Sequence, residues 1–126
     1  MKSKSVFHSF FYAFSGMWYA LRTQRNIRIH LSVAFCAVAA GIWLRLDLVR
    51  WAVLFLTIGA AISAEMINTA IETIVDAQVE EFHPLAKVAK DVSAGAVMVV
   101  ALTAVLVGIC LFLPPLLGKL GPLLAR

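Results

Sequence analysis

The sequence predicts an all-α membrane protein, in which an amphipathic surface helix precedes three transmembrane helices. Two observations support this fold class. Of the 126 residues, 62% are hydrophobic and 14% are charged, whereas ordinary soluble proteins are about 45–50% apolar and about 25% charged. The apolar residues also stand in long runs, as in helices that cross a bilayer. The chain is therefore predicted to form a single membrane domain over residues 1–126.

The N-terminal segment is predicted to be the surface helix, over residues 5–24. Spacings of three and four place its large apolar side chains on one helical face. These side chains are Phe7, Phe10, Phe11, Phe14, Met17, Trp18 and Leu21. Basic residues follow at Arg22, Arg25 and Arg28, and an aromatic face with a basic end is typical of a helix in the membrane interface. The alternative, a core helix of a soluble bundle, is disfavoured by the apolar runs that follow.

Three apolar runs are predicted to cross the membrane. They cover about residues 29–46, 51–75 and 92–113. The third run is expected to stop at Pro114-Pro115, because proline disrupts a continuing helix. The polar stretch from Gln78 to Asp91 is expected to form a loop between the second and third runs.

Positively charged residues flank the apolar runs unevenly. Seven of the eleven lysines and arginines fall on the side of the N-terminus, namely Lys2, Lys4, Arg22, Arg25, Arg28, Lys87 and Lys90. The other four are Arg45, Arg50, Lys119 and Arg126. Because lysine and arginine are retained in the cytoplasm, we expect a multi-pass inner-membrane protein with a cytoplasmic N-terminus. Because these charges lie beside apolar runs, we expect lipid headgroups to be their anionic neighbours. No nucleic-acid partner is expected.

A stripe of polar side chains marks the end of the second run. It consists of Glu65, Asn68, Thr69, Glu72 and Asp76. At about 100° per residue, all five lie within about 60° of Glu65 on a helix. Ionisable groups in a membrane span are costly and mark functional sites. Carboxylates suit Mg²⁺ bound together with phosphate oxygens, which predicts a Mg²⁺-nucleotide here; a solvated helix end is the alternative for Asp76.

A second polar feature is the pair Lys90-Asp91 at the start of the third run. The lysine could hold phosphate oxygens, and the aspartate could bind a metal or order the lysine. Alternatively, Asp91 is an N-cap. The sequence contains neither a Gly-x-x-x-x-Gly-Lys-Ser/Thr loop nor a Gly-x-Gly-x-x-Gly motif, so a nucleotide site would be built differently from the usual nucleotide folds.

Taken together, these segments resemble the bacterial integral membrane diacylglycerol kinase and undecaprenol kinase family. The matching motifs are Glu65-x-x-Asn68-x-x-x-Glu72-x-x-x-Asp76, Glu81-Phe82-His83-Pro84-Leu85-Ala86-Lys87 and Ala89-Lys90-Asp91. The undecaprenol kinase branch in particular is similar in the segment Arg25-Asn26-Ile27-Arg28-Ile29-His30. The resemblance covers the chain in order from about Phe10 to Leu113.

The resemblance implies a homotrimer whose active sites are shared between subunits and lie near the cytoplasmic membrane surface. Each site would transfer the γ-phosphoryl group of Mg-ATP to a lipid hydroxyl. By resemblance, Glu65 is the general base, Asn68 positions the reacting groups and Glu72 is a Mg²⁺ ligand. Gln24 stands where the diacylglycerol kinase branch has a metal-binding glutamate. The residues implied to contact the nucleotide or order the site are Tyr12, Asp76, Glu81, His83, Lys90 and Asp91.

The resemblance of the Arg25-to-His30 segment and of Pro84 to the undecaprenol kinase branch implies undecaprenol as the acceptor. Diacylglycerol is the alternative, because both lipids present one hydroxyl on apolar chains. A small proton- or ion-translocating subunit, with Glu65 as the relay, is a more remote alternative. Such a subunit would carry acidic residues near mid-membrane on more than one span, whereas here they cluster at one end of one span. A structural adaptor would not need Glu65, Glu72 and Lys90 together.

Overall fold

The computed structural model of the chain describes residues 6–78, 81 and 83–124, with side chains up to residue 121. The described residues form the helices α1 (Val6–Thr23), α2 (Arg25–Leu44), α3 (Leu48–Gln78) and α4 (Pro84–Leu124). The last three are long and apolar enough to cross a membrane, which confirms an all-α fold with three helices of transmembrane length. Lys2, Lys4 and Arg126, on which the predicted orientation partly depends, lie outside the described residues.

Helices α3 and α4 form the most extensive helix pair. They are antiparallel neighbours, because the connection between them is short and the end of α3 lies beside the start of α4. Helix α2 packs against both of them. At the other end of the pair, Leu46, Leu54 and Leu111 form a buried apolar core. The polar residues of α3 are thus separated from the core along the length of the helix.

The turn between α2 and α3 carries a cap for each helix. Arg45 ends α2 in the left-handed conformation, with φ of 55°. The N–H of Leu46 donates to the carbonyl of Gly41 at 3.1 Å, as in a Schellman C-cap. Asp47 Oδ1 then accepts a hydrogen bond from the N–H of Arg50 at 3.0 Å, which is the bond of an N-cap residue.

Helices α1 and α2 meet at Gln24. The N–H of Gln24 donates to the Ala20 carbonyl at 2.8 Å, and the Arg28 guanidinium donates to the Arg22 carbonyl at 3.1 Å. The last carbonyls of a helix have no N–H donor within the helix. A cation at this end can donate hydrogen bonds to them, and it also interacts favourably with the helix dipole. The Arg22 guanidinium lies 4.7 Å from the centre of the Trp18 ring. These contacts hold α1 against the first turn of α2.

The start of α4 differs from the prediction. The helix begins at Pro84, so Lys87, Lys90 and Asp91 lie on a helix, and the expected loop up to Asp91 was wrong. Proline is favoured at the first helical position because its missing N–H would have no helical acceptor there.

The end of α4 differs as well, because the helix continues through Pro114-Pro115 to Leu124. Proline removes backbone hydrogen bonds, but its fixed φ is itself close to helical, so the helix can continue. In the continuation, Lys119 Nζ donates to the Trp43 carbonyl at 2.8 Å and lies 4.2 Å from the centre of the Trp43 ring. The end of α4 is therefore held against the end of α2.

Candidate active site

The polar stripe of α3 passes from buried to exposed along the helix. Glu65, Asn68 and Thr69 are buried, with 1%, 6% and 4% of their surfaces exposed. Glu72 is half-buried, and Asp76 is exposed. The exposed end of the stripe lies beside the start of α4, where the second set of predicted site residues is found.

Glu65 is the most deeply buried charged side chain among the described residues. Its Oε2 atom has no hydrogen-bond partner in the part of the chain that the structure describes. Burial of a carboxylate oxygen without a partner is unfavourable, and such atoms in native proteins often have a catalytic or ligand-binding role. Glu65 can therefore accept a hydrogen bond or a proton from a donor outside this chain.

Asn68 connects Ser93 on α4 to Glu72, the next acidic residue of the stripe. Its Oδ1 accepts a hydrogen bond from Ser93 Oγ at 2.6 Å, and its Nδ2 donates to Glu72 Oε1 at 3.1 Å. Thr69, on the same face, donates to the backbone carbonyl of Glu65 at 2.9 Å. The carboxamide and the Glu72 carboxylate are thus held in a defined orientation toward each other.

Two ion pairs follow at the exposed end. Lys90 Nζ lies 2.8 Å from Asp76 Oδ1 and joins α4 to α3. Lys87 Nζ lies 2.6 Å from Asp91 Oδ2, one turn away on α4. Lys90 is therefore ordered by Asp76, and the expectation that Asp91 orders it was wrong. The N-cap alternative for Asp91 was also wrong, because Asp91 lies within α4.

A cavity of about 410 Å³ opens beside these ion pairs. Its polar lining side chains are Asp76, Glu81, His83, Lys87, Lys90 and Asp91. Five of the six residues that the resemblance assigns to the nucleotide thus lie around one cavity. The lining combines two ammonium groups with carboxylates, so it offers donors to phosphate oxygens and acceptors to hydroxyl or amino groups.

Tyr12 and Gln24 are not brought into this cavity. Tyr12 is exposed on α1, where its ring lies 6.0 Å from the ring of Phe11 and 6.5 Å from that of His8. Gln24 is the N-cap residue of α2, and its side chain makes no capping hydrogen bond. The roles expected for these two residues remain predictions.

Two apolar cavities lie along the helices. One of about 410 Å³ is lined by α2, α3 and α4. The other, of about 260 Å³, lies between α1, α2 and α3, and its lining includes Ile62 and Met66. Both residues are close to Glu65 along α3, but the Glu65 side chain is not part of the lining of this cavity.

Ser93 is the member of the polar network that the sequence did not identify. It is a single hydroxyl at the start of a long apolar run, and such residues commonly bond their own helix backbone. The available signal was its spacing, because Ser93 follows Lys90 by three residues and therefore shares its helix face.

Comparison with known proteins gives a consistent result. Residues 11–112 match the family model of the prokaryotic diacylglycerol kinases. The chain is 43% identical over 110 residues to the undecaprenol kinase of Bacillus subtilis (strain 168), a region that covers 87% of this chain and 89% of that protein. It is 48% identical over 111 residues to a diacylglycerol kinase of Synechocystis, covering 87% of this chain and 63% of that protein.

A more distant relative is the diacylglycerol kinase of Escherichia coli (strain K12), which is 28% identical over 95 residues, or 75% of this chain and 78% of that protein. The family match includes the whole polar stripe of α3, the first two helices of transmembrane length and the third as far as residue 112. The chain therefore belongs to the prokaryotic diacylglycerol kinase family and is a membrane lipid kinase.

Proposed function

We propose that this protein transfers the γ-phosphoryl group of Mg-ATP to the hydroxyl of undecaprenol at the cytoplasmic face of the bacterial inner membrane. Similarity to the Bacillus subtilis undecaprenol kinase over nearly the whole of both chains supports this acceptor. Diacylglycerol is the second candidate, because the diacylglycerol kinase of Synechocystis is 48% identical to this chain.

The observation that carries the proposal is the burial of Glu65, whose Oε2 has no hydrogen-bond partner among the described residues. On the same helix, Ile62 and Met66 line an apolar cavity, and Asp76, farther along, lines the polar cavity that contains the two lysines. A lipid kinase needs this combination, because its acceptor is apolar except for one hydroxyl and its donor is highly charged. A chain in the apolar cavity would bring its hydroxyl to the carboxylate from the membrane side.

Glu65 would act as the general base. It would take the proton of the lipid hydroxyl while that oxygen forms a bond to the γ-phosphorus and the bond from phosphorus to ADP breaks. Phosphoryl transfer depends mainly on positioning and charge neutralisation. Asn68 would contribute to positioning through its hydrogen bond to Glu72.

Lys90 would bind phosphate oxygens, and Asp76 would orient it through their 2.8 Å contact. Glu81, His83 and Asp91 would contact the rest of the nucleotide, because they line the same cavity. Lys90 and Asp76 are both accessible, so the lysine can exchange its carboxylate partner for a phosphate without opening the helix pair.

Among the described residues, no group of three or more acidic, His or Cys side chains is arranged to hold a metal ion, so Mg²⁺ would reach the site with the nucleotide. Glu72 would supply a carboxylate, because Mg²⁺ is usually held by one or two carboxylates together with phosphate oxygens and water. Gln24 would add a carboxamide oxygen without charge. Bound Mg²⁺ would neutralise charge on the transferring phosphoryl group.

We further propose a homotrimer with shared sites and a cytoplasmic N-terminus. Tyr12 is exposed on α1 and lies outside the polar cavity of its own chain, so a shared site would let it contact nucleotide bound by a neighbouring subunit. Exposed aromatic residues such as Phe7 and Phe10 suit an α1 that lies in the membrane interface.

The acceptor is tested by incubating the purified protein in mixed micelles with Mg²⁺ and γ-labelled ATP, with undecaprenol and diacylglycerol supplied separately and then in competition. We expect label in undecaprenol, and excess undecaprenol should suppress labelling of diacylglycerol. Preferential labelling of diacylglycerol would establish the second candidate. Absence of label in both lipids, with folded protein, would contradict the proposal.

A further inference from the structure

Ser93 is a buried hydroxyl in the polar network between α3 and α4. It is 7% exposed, and its Oγ lies 2.6 Å from Asn68 Oδ1 and 2.9 Å from the Lys90 carbonyl. A serine hydroxyl has one proton to donate. The shorter of the two contacts is the one that crosses to α3, so Ser93 is a donor to the carboxamide of Asn68.

This donor determines which way the Asn68 carboxamide faces. With Oδ1 paired to Ser93, Nδ2 is directed at Glu72 Oε1, 3.1 Å away. The reversed carboxamide would place its oxygen against the Glu72 carboxylate, which has no proton to donate when it is ionised. The chain of hydrogen bonds from Ser93 to Asn68 to Glu72 therefore has a single favourable direction.

We propose that Ser93 is a positioning residue, which acts through Asn68 to fix the Glu72 carboxylate for phosphoryl transfer. The inference rests on the proposed kinase function. Without the hydroxyl, Asn68 Oδ1 would be buried without its donor, and the carboxamide would rotate away from Glu72. Partners that orient a metal-binding carboxylate typically contribute about 10- to 100-fold to metal affinity or activity.

The test is a mutant cycle on lipid phosphorylation at varied Mg²⁺ and ATP concentrations. The variants are Ser93→Ala, Asn68→Ala and the double variant. Ser93→Ala should lower kcat/KM for Mg-ATP about tenfold and raise the Mg²⁺ concentration that gives half-maximal rate. In the Asn68→Ala background the same substitution should have almost no effect, because the residue through which Ser93 acts is gone.

The matched control is Thr103→Val, which removes a hydroxyl from α4 that donates to the Val99 carbonyl on the same helix. Its Mg²⁺ dependence should equal that of the wild type.

An unchanged Ser93→Ala enzyme, or an equal loss in both backgrounds, would overturn the role of Ser93. If Ser93→Ala does not fold, Ser93→Cys replaces it, because cysteine is of similar size and its thiol is a weak donor. Ser93→Cys should likewise lower kcat/KM for Mg-ATP and raise the Mg²⁺ concentration for half-maximal rate. Wild-type kinetics in Ser93→Cys would overturn the role of Ser93. A wild-type enzyme that labels no lipid would instead overturn the proposed function.

Discussion

Lys90 Nζ lies 2.8 Å from Asp76 Oδ1, and this contact joins the end of α3 to the start of α4. Both side chains are well exposed, with 38% and 64% of their surfaces accessible. Exposed ion pairs add little to stability because solvent screens them. The pair therefore holds Lys90 at the polar cavity and has little effect on the stability of the fold.

Replacing this lysine should impair nucleotide use without unfolding the protein. For Lys90→Met we expect the KM for ATP to rise about tenfold or more, since hydrogen bonds to charged groups commonly contribute that factor. The apparent melting temperature in detergent should stay near that of the wild type. Lys119→Met, which removes an equal charge at the far end of α4, is the control and should leave the KM unchanged. An equal KM in the wild type and Lys90→Met would show that Lys90 does not bind the nucleotide.

Gly41 should be intolerant of a side chain. A Cβ at this position would lie 2.9 Å from Cη2 of Trp51 and 3.2 Å from Cδ1 of Leu46. Such overpacking typically costs about 1–3 kcal/mol, so Gly41→Ala should lower the free energy of unfolding by that amount. At Gly16 an added Cβ meets no atom within 4 Å, and Gly16→Ala should not destabilise.

Adding Trp51→Phe to Gly41→Ala tests whether the close contact with Trp51 causes the loss of stability. The smaller ring removes the closest contact, so the second substitution should restore part of the lost stability. If the two substitutions destabilise additively, the contact with Trp51 does not explain the effect.

Asp47 should make stability depend on pH at the start of α3. The hydrogen bond from the backbone N–H of Arg50 lowers the pKa of the Asp47 carboxyl, and the Arg50 charge acts in the same direction. Because the pKa is lower in the folded chain, the stabilisation is complete above the unfolded value of about 4. It is lost as the pH falls through the folded value.

Two variants separate the effect of the N-cap hydrogen bond from the effect of the Asp47 charge. Asp47→Ala should lower the melting temperature at pH 7, and its difference from the wild type should shrink below about pH 4. Asp47→Asn keeps an N-cap acceptor and should show a smaller loss at pH 7. This loss should also shrink below about pH 4, because the wild-type carboxyl is protonated there and the asparagine does not titrate. A difference between the wild type and Asp47→Ala that is constant with pH would show that ionised Asp47 does not stabilise the helix start.

The polar stripe of α3 was predictable because it depends only on helical periodicity. Glu65, Asn68, Glu72 and Asp76 share a face on any regular helix, so their grouping required no tertiary information. That Lys90 pairs with Asp76 was not predictable, because it depends on the relative alignment of two helices. Ser93 was missed for the same reason, since one hydroxyl in an apolar run gives no pattern of its own.

The helix ends were harder to predict. Proline was expected to stop the third run at Pro114-Pro115, yet α4 continues through both residues, and Pro84 begins the same helix. In both places the backbone angle of proline is compatible with a helix. Contacts beyond the local sequence, such as that between Lys119 and Trp43, accompany the continuation of α4.

The central claim is that Glu65 takes the proton of the lipid hydroxyl, and single-turnover phosphoryl transfer by Glu65→Gln tests it most directly. The variant would be compared with the wild type at ATP and lipid concentrations that saturate both proteins. We predict a transfer rate about 10²- to 10⁴-fold lower, with nucleotide binding unchanged, because glutamine keeps the size of the side chain and removes the base. A transfer rate within a few-fold of the wild type would contradict the account.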